Sequence, residues 1–258
     1  MNSHSVIHKD AIIRNNVQIG PFCSIGQNVE IKENCKIHSN VVLDGNITVD
    51  KNTEIFPFAT IGTTPQDLKY KGEKTEIYIG ENCKIREYVT INLGTEGGGG
   101  LTKVGNNCLL MVGTHIAHDC NIEENVIFAN HSTLAGHVVV EKNVVVGALS
   151  AIHQFSRIGE GAMIGGMTGV TADVVPFTTV MGNRAKLSGL NLVGLKRNNT
   201  NKLEINELRR VFKYIFYGKD KTLEFRKKKV KDENLSFYSV NKLLNFLDGD
   251  SKRSICMP

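Results

Sequence analysis

Four of the chain's eight histidines, His115, His118, His131 and His137, fall inside the run VGTHIAHDCNIEENVIFANHSTLAGH. Imidazole changes charge near neutral pH and is the commonest metal ligand, so such a cluster suits acid–base catalysis or metal binding. The lesser alternative is a polar edge without chemistry. In the acid–base reading His118 accepts a proton while the adjacent Asp119 orients it, and a positioned base contributes about 10²–10⁴-fold in rate. In the metal reading three imidazoles hold zinc and leave a fourth position open. Adjacency in sequence does not establish that Asp119 touches His118.

The elements that must position these residues announce themselves as a repeat. Ile7, Ile13, Ile19, Ile25, Ile31, Ile37, Leu43, Val49, Ile55 and Ile61 recur every six residues. The series returns as Ile79, Ile85 and Ile91, then runs from Val104 through Leu110, Ile116, Ile122, Phe128 and Leu134 to Val170. A period of six fits neither a helix at 3.6 nor a plain strand at 2. It fits a solenoid of parallel strands that turns a corner every six residues, three faces to a coil, with coils about 4.8 Å apart. An eighteen-residue coil accounts for the preserved phase from Ile61 to Ile79.

Four residues after each aliphatic comes a smaller inward position, which takes in Cys23, Cys35, Cys83, Cys108 and Cys120. Free cysteine packs as a small buried hydrophobe, and with no CxxC pair neither disulfides nor a cysteine zinc site is expected. Cys256 is off this lattice. On the same lattice His115, His118, His137 and His153 all point outward, and their spacing stacks them as a ladder on one edge.

Two excursions break the coils, at 62–78 and 92–103, where rigid scaffolds commonly place function. Gly97 to Gly100 in the second read as a flexible spacer, with an anion cradle as the sharper alternative. Beyond Pro176 the period fades. NKLEINELRRVFKYIFYG and YSVNKLLNFLDG carry helical stripes, so the expected organisation is a solenoid domain over 1–189 and a small α-helical domain over 190–258 that caps one end of it.

Composition narrows the function classes. The chain has 258 residues, 41% of them hydrophobic, and a net charge of +5. The charge is uneven: residues 190–258 hold 16 lysines and arginines against 8 acidic residues. Their densest run, RKKKVK at 226–231, reads as a solvated helix face or as a surface for an acidic partner, nucleic acid or a membrane. No stretch approaches the roughly 18 apolar residues of a membrane span, and the N-terminal residues lack a signal-peptide pattern. A cytoplasmic location is expected.

Taken together, the hexapeptide series, PQDLKYKGE, HIAHDC, LAGH, IHQF and GLNLVGLKR resemble the bacterial UDP-N-acetylglucosamine O-acyltransferases, from near the N-terminus through the helical tail. The resemblance implies an all-β solenoid plus α, a left-handed parallel β-helix with a C-terminal helical domain, assembled as a homotrimer with active sites between neighbouring prisms. It implies transfer of a 3-hydroxyacyl group from acyl carrier protein to the 3-position of UDP-N-acetylglucosamine, the first step of lipid A biosynthesis, without cofactor or metal. It also implies that nucleic acid is no partner and that the chain does not insert stably into a membrane. His118 takes the place of the family's general base, Asp119 its orienting partner, and the Gly136 N–H its oxyanion donor. Asp67, Lys69, His115, His137, His153, Gln154, Asn191 and Arg197 match substrate-contacting positions, and Gly166 the position that limits acyl length.

The pattern also departs from the family at Asn92, Val193 and Asn198, which leaves open whether the acceptor is the 3-hydroxyl sugar or its 3-amino analogue. Within the same fold a related hexapeptide acyltransferase is the alternative. From another class, a zinc β-helical carbonic anhydrase would use three of the histidines. An acidic carrier protein gives the basic tail a specific partner.

Overall fold

The computed structural model describes residues 4–219 and 221–258. Twenty-seven short strands form three sheets of nine, eight and ten strands. Each sheet takes every third strand: Val6–Ile7 pairs with Ser24–Ile25 on the first face, Ile12–Ile13 with Val29–Ile31 on the second, Gln18–Ile19 with Lys36–Ile37 on the third. The chain is therefore a three-sided parallel β-helix, and its coils are left-handed.

Register places aliphatic on aliphatic: Ile7 opposite Ile25, Ile31 opposite Val49, Leu43 opposite Ile61. From Ile25 onward the hexad side chains are almost completely buried. Each fully buried aliphatic of this size contributes about 1.5–3 kcal/mol. Cys23, Cys35, Cys83, Cys108 and Cys120 are buried beside them as free thiols, and Cys256 is buried as well.

The first excursion preserves phase for a different reason from the one expected. Ile61 lies on the first face and Ile79 on the second, so the eighteen residues between them are not one coil. Val49 pairs with Ile79, thirty positions on, so a single hexad carries an insertion as long as two more. The second excursion is one residue longer than a hexad, which is why Ile79 pairs with Val104 and the phase slips. Both excursions leave the corner between the first and second faces.

A hairpin of Thr178–Met181 with antiparallel Lys186–Leu190 ends the third face. Four helices follow: α1, Leu192–Arg197; α2, Lys202–Tyr217; α3, Leu223–Asp232; α4, Tyr238–Asp248. Asn201 caps α2 by accepting the Glu204 N–H, and Ile205, Leu208, Val211, Phe212, Ile215 and Phe216 form its buried stripe. Helix α4 lies against the flank of the last coils. There Tyr238 donates to Glu160 at 2.6 Å, Lys242 pairs with Glu141 at 3.1 Å, and Arg157 covers the Phe246 ring at 4.4 Å.

The cationic run belongs to α3 and is only partly solvated. Arg226 and Lys227 are buried: Arg226 donates to the carbonyls of Gly218 and Lys221, and Lys227 pairs with Glu224 and Asp248. Lys231 also pairs with Asp248, which leaves Lys228 and Lys229 as the exposed cations of the run without an ion pair. No helix among the described residues is long and apolar enough to cross a membrane.

Candidate active site

The corner between the first and second faces brings together His118, Asp119 and His137. The strand His115–Ile116 ends there, and the chain turns through Asp119, whose φ of 58° is left-handed, before Asn121–Ile122 begins. The Asp119 side chain is completely buried, a costly position for a carboxylate unless donors surround it. Thr95 donates its backbone N–H to Oδ1 at 2.8 Å and its hydroxyl to Oδ2 at 2.7 Å. His118 Nδ1 lies 2.7 Å from the same Oδ2, and Thr102 accepts the Asp119 N–H. In the neutral ring the proton therefore sits on Nδ1, and the Nε2 lone pair is left to accept a proton.

The second excursion is not a loose spacer. Its chain folds into a turn in which Gly98 and Gly100 both donate to the Thr95 carbonyl. A Cβ on Gly98 would fall 2.0 Å from Asp119 Cγ, so glycine is what lets the loop close over the carboxylate. Gly136 plays the matching part on the next coil. A Cβ there would meet the His118 ring at 2.5 Å, so its backbone packs directly against the imidazole.

His137 and Phe155 occupy the Asp119 slot on the two following coils, each with positive φ. The His118 and His137 rings meet edge-on with centroids 5.0 Å apart, and His137 stacks on Phe155 at 4.5 Å. Burial pushes the His137 imidazole below its ordinary value of 6.5. Asp119 opposes that shift, and His118 and Lys252 reinforce it. The column faces a cleft of about 560 Å³ whose other walls include Asp67, Lys69 and Tyr70 from the first excursion and Lys252 from the C-terminal segment.

The remaining expected residues are dispersed. His115 lies on the first face, bonded to Thr90 Oγ1 at 2.7 Å, and burial pushes its pKa down. His153 and Gln154 flank the column one coil beyond His137, where Arg253 contacts both. The edge is thus not a continuous histidine ladder: Phe155, not His153, stacks on His137. His131 is exposed at the corner between the third and first faces. Asn191 caps α1 and donates to the Gly161 carbonyl at the corner between the second and third faces, and Arg197 is exposed in the last turn of that helix. Neither joins the cleft of its own chain. At Gly166 an added Cβ would meet only the Ala148 backbone, at ordinary contact distance. Asn92 is buried and donates to Thr63 Oγ1 at 2.9 Å, tying the roots of the two excursions together.

His118, Asp119 and His137 present three donor atoms within 4.8 Å of one another, the composition of some catalytic zinc sites. Both Asp119 oxygens, however, are already engaged by Thr95 and His118, and a cation would have to displace these bonds. Two imidazoles meet here, not the three of the zinc alternative. Thr95, Phe155, Lys252 and Arg253 escaped the sequence reading, and Gly98 entered it only as part of the glycine run. Of these Phe155 alone had a signal, one coil after His137.

A family model described as UDP N-acetylglucosamine O-acyltransferase, domain 2, matches residues 173–256, and the bacterial transferase hexapeptide repeat matches 4–35 and 101–136. Two relatives are named acyl-[acyl-carrier-protein]–UDP-N-acetylglucosamine O-acyltransferase. The one from Aliarcobacter butzleri is 54% identical over 212 residues, covering 82% of each chain. The one from Sinorhizobium fredii is 42% identical over 254 residues, covering 98% of this chain and 94% of its own. The solved structure of the UDP-N-acetylglucosamine acyltransferase from Campylobacter jejuni superposes with a TM-score of 0.94 at 37% identity, covering 100% of this chain and 99% of its own.

Proposed function

The chain belongs to the UDP-N-acetylglucosamine O-acyltransferase family, and from that premise we propose that its first–second corner moves a 3-hydroxyacyl group from acyl carrier protein to UDP-N-acetylglucosamine, opening lipid A biosynthesis. The observation that carries this reading is the 2.7 Å contact between His118 Nδ1 and a carboxylate that is buried and otherwise satisfied. It fixes the tautomer a general base needs.

An alcohol is a poor nucleophile at neutral pH. His118 Nε2 takes the proton of the sugar 3-hydroxyl as its oxygen attacks the thioester carbonyl, and Asp119 stabilises the imidazolium that forms. The carbonyl oxygen becomes an oxyanion beside the Gly136 N–H, and losing one such donor costs about 10²–10³ in rate. Collapse of the tetrahedral intermediate breaks the C–S bond, and the departing thiolate takes the proton back from His118. Neither substrate changes oxidation state. Asp67, Lys69 and His137 line the groove for the sugar nucleotide, His115, His153 and Gln154 border it, and Gly166 leaves the acyl path open at its position.

We assign the assembly as a homotrimer. The third–first corner exposes Phe22, Phe58, Tyr88, Leu149 and Met167 in one row, an apolar edge suited to a neighbouring prism. Asn191 and Arg197, held at the second–third corner, reach a cleft only when that cleft belongs to another copy. Acyl carrier protein is acidic and meets the exposed cations of the helical domain, among them Lys228 and Lys229, and the reaction is placed in the cytoplasm.

The test is mass spectrometry of products formed from 3-hydroxyacyl carrier protein and UDP-N-acetylglucosamine by the native chain and by His118→Ala. The native chain yields the 3-O-acyl sugar nucleotide. The variant keeps its sedimentation behaviour but turns over at least about 10²-fold more slowly; a near-native rate would remove His118 from the mechanism.

A further inference from the structure

After α4 the chain returns to the prism and is fastened along it. Asp173 forms a parallel bridge with Ile255: its N–H donates to the Ser254 carbonyl at 2.8 Å and its carbonyl accepts from Cys256 at 2.8 Å. Leu187 donates to the Met257 carbonyl, and the buried Cys256 thiol donates to the Ala185 carbonyl. Asp173, itself buried, is locked by Arg157 at 2.7 Å. These bonds fix the position of the two cations just before the bridge.

Arg253 donates from Nε to the Gln154 carbonyl at 2.9 Å, and its Nη2 lies 2.6 Å from His153 Nδ1. A guanidinium has no acceptor, so the imidazole nitrogen facing it must accept. His153 is thereby held with its proton on Nε2, the opposite tautomer from His118, whose Nδ1 faces a carboxylate. The same two ring atoms are thus set for opposite work by the sign of the charge beside Nδ1: His118 to take a proton, His153 to donate a hydrogen bond. Lys252 reaches past this pair. Its ammonium stands 4.2 Å over the Phe155 ring, and the residue lines the same cleft as Lys69 and Lys71.

We propose that the C-terminal segment is a wall of the acyl-transfer cleft, in which Lys252 binds a phosphate group of a substrate and Arg253 is a positioning residue that holds His153 as an Nε2–H donor. The assignment rests on the acyl-transfer reading of the cleft. That reaction brings two sources of phosphate: the diphosphate of the sugar nucleotide, and the phosphodiester that joins the carrier protein to its pantetheine arm. Both want a compact cation and neutral N–H donors, and a lysine provides the point charge. The ring beneath Lys252 keeps the ammonium at the mouth of the cleft by cation–π attraction without neutralising it.

Two variants of the full chain, Lys252→Ala and Arg253→Met, separate the sources. UDP is the probe for the diphosphate, by calorimetry. The KM for 3-hydroxyacyl carrier protein against that for the same acyl group on pantetheine, which lacks the phosphodiester, is the probe for the arm. Lys252→Ala is expected to weaken UDP binding by about tenfold, the effect of losing one hydrogen bond to a charged group. Alternatively it raises the carrier-protein KM by a similar factor while the pantetheine thioester is unaffected; either result supports the wall and names its ligand. Arg253→Met is expected to abolish the Nε2–H signature of His153 in ¹⁵N spectra and to act on KM more than on kcat, with Arg253→Lys partly restoring both. Unchanged UDP affinity together with an unchanged carrier-protein KM in Lys252→Ala overturns the phosphate site. An unaltered His153 tautomer in Arg253→Met overturns the positioning role. UDP binding requires no turnover, so a native chain that binds UDP through Lys252 yet forms no acyl product would indict the reaction and not the wall.

Discussion

At the corner between the second and third faces the left-handed backbone slot is filled, coil after coil, by Asn16, Asn34, Asn52, Asn82, Asn107, Asn125 and Asn143. At the corner between the first and second faces the same slot holds Asp119, His137 and Phe155. Asparagine is the side chain, after glycine, that adopts positive φ at least cost, so the first row is what backbone sterics alone would select. Aspartate and histidine tolerate the slot nearly as well. Phenylalanine does not, and its presence stores strain of the order of 1 kcal/mol or more. The backbone is the same at both corners, and the asparagine row itself ends in Gly161 and Phe177; what differs is that the first–second corner uses the slot to hold a buried carboxylate, two facing imidazoles and an aromatic platform. The third–first corner departs from asparagine as well, with Phe22, Phe58, Tyr88, Leu149 and Met167 in the slot, so the departure marks corners given to contact or chemistry.

Three substitutions would break or sharpen that contrast. The largest effect is expected from Gly98→Ala. The new methyl group would displace the loop from Asp119, and a displacement of about 1 Å in a catalytic orienting group costs about 10²-fold in rate. The measurement is kcat, with thermal stability followed in parallel; a rate within twofold of native would mean that the Thr95 turn does not position the dyad. Asn125→Ala probes the other corner. It should cost about 1 kcal/mol, since alanine lacks the local hydrogen bonding that eases positive φ, and lower Tm by about 2–4 °C in a chain of this size while kcat stays native. Lost activity in that variant would erase the distinction between the corners.

The prism was legible because each hexad repeats one packing decision: an aliphatic inward, a small residue four places on, a polar turn between. Ile25, Ile31 and Ile37 announce this to anyone counting by six. The outward direction of His118 followed from the same count. What the count could not reach are contacts between segments of unlike period. Thr95 meets Asp119 because a loop folds back over the next coil, and nothing in GTEGGGG encodes that path. The eighteen residues from Ile61 to Ile79 looked like one coil because an insertion of two hexads and one real step add to the same number. Helix α3 was hidden by its own lysines, since Arg226 and Lys227 are buried through pairing and not through apolar periodicity. Lys252 and Arg253 reach the cleft by a backbone bridge at Asp173 that leaves no mark in side-chain pattern.

The smallest predicted effect is also the most direct reading of the chemistry at the first–second corner. Burial is the largest influence on His137 and lowers its pKa. Asp119 pulls the other way, and His118 and Lys252 add to the lowering. The net direction is downward from 6.5, so His137 stays neutral in the folded chain at a pH where the unfolded chain has begun to bind a proton. Since the unfolded state then binds more protons, stability from this residue is complete above the unfolded value and is lost as pH falls through it, down to the folded value. His115, lowered by burial, acts in the same direction. The asparagine side chains of the other corner do not titrate and contribute no slope. An NMR titration of the ring carbons should place the His137 midpoint below 6.5 and move it upward in Lys252→Ala, whereas Asn125→Ala should leave it in place. A midpoint above 6.5 would mean that Asp119, despite its bonds to Thr95 and His118, still projects enough charge along the column to outweigh burial, and the carboxylate would then serve both imidazoles and not His118 alone.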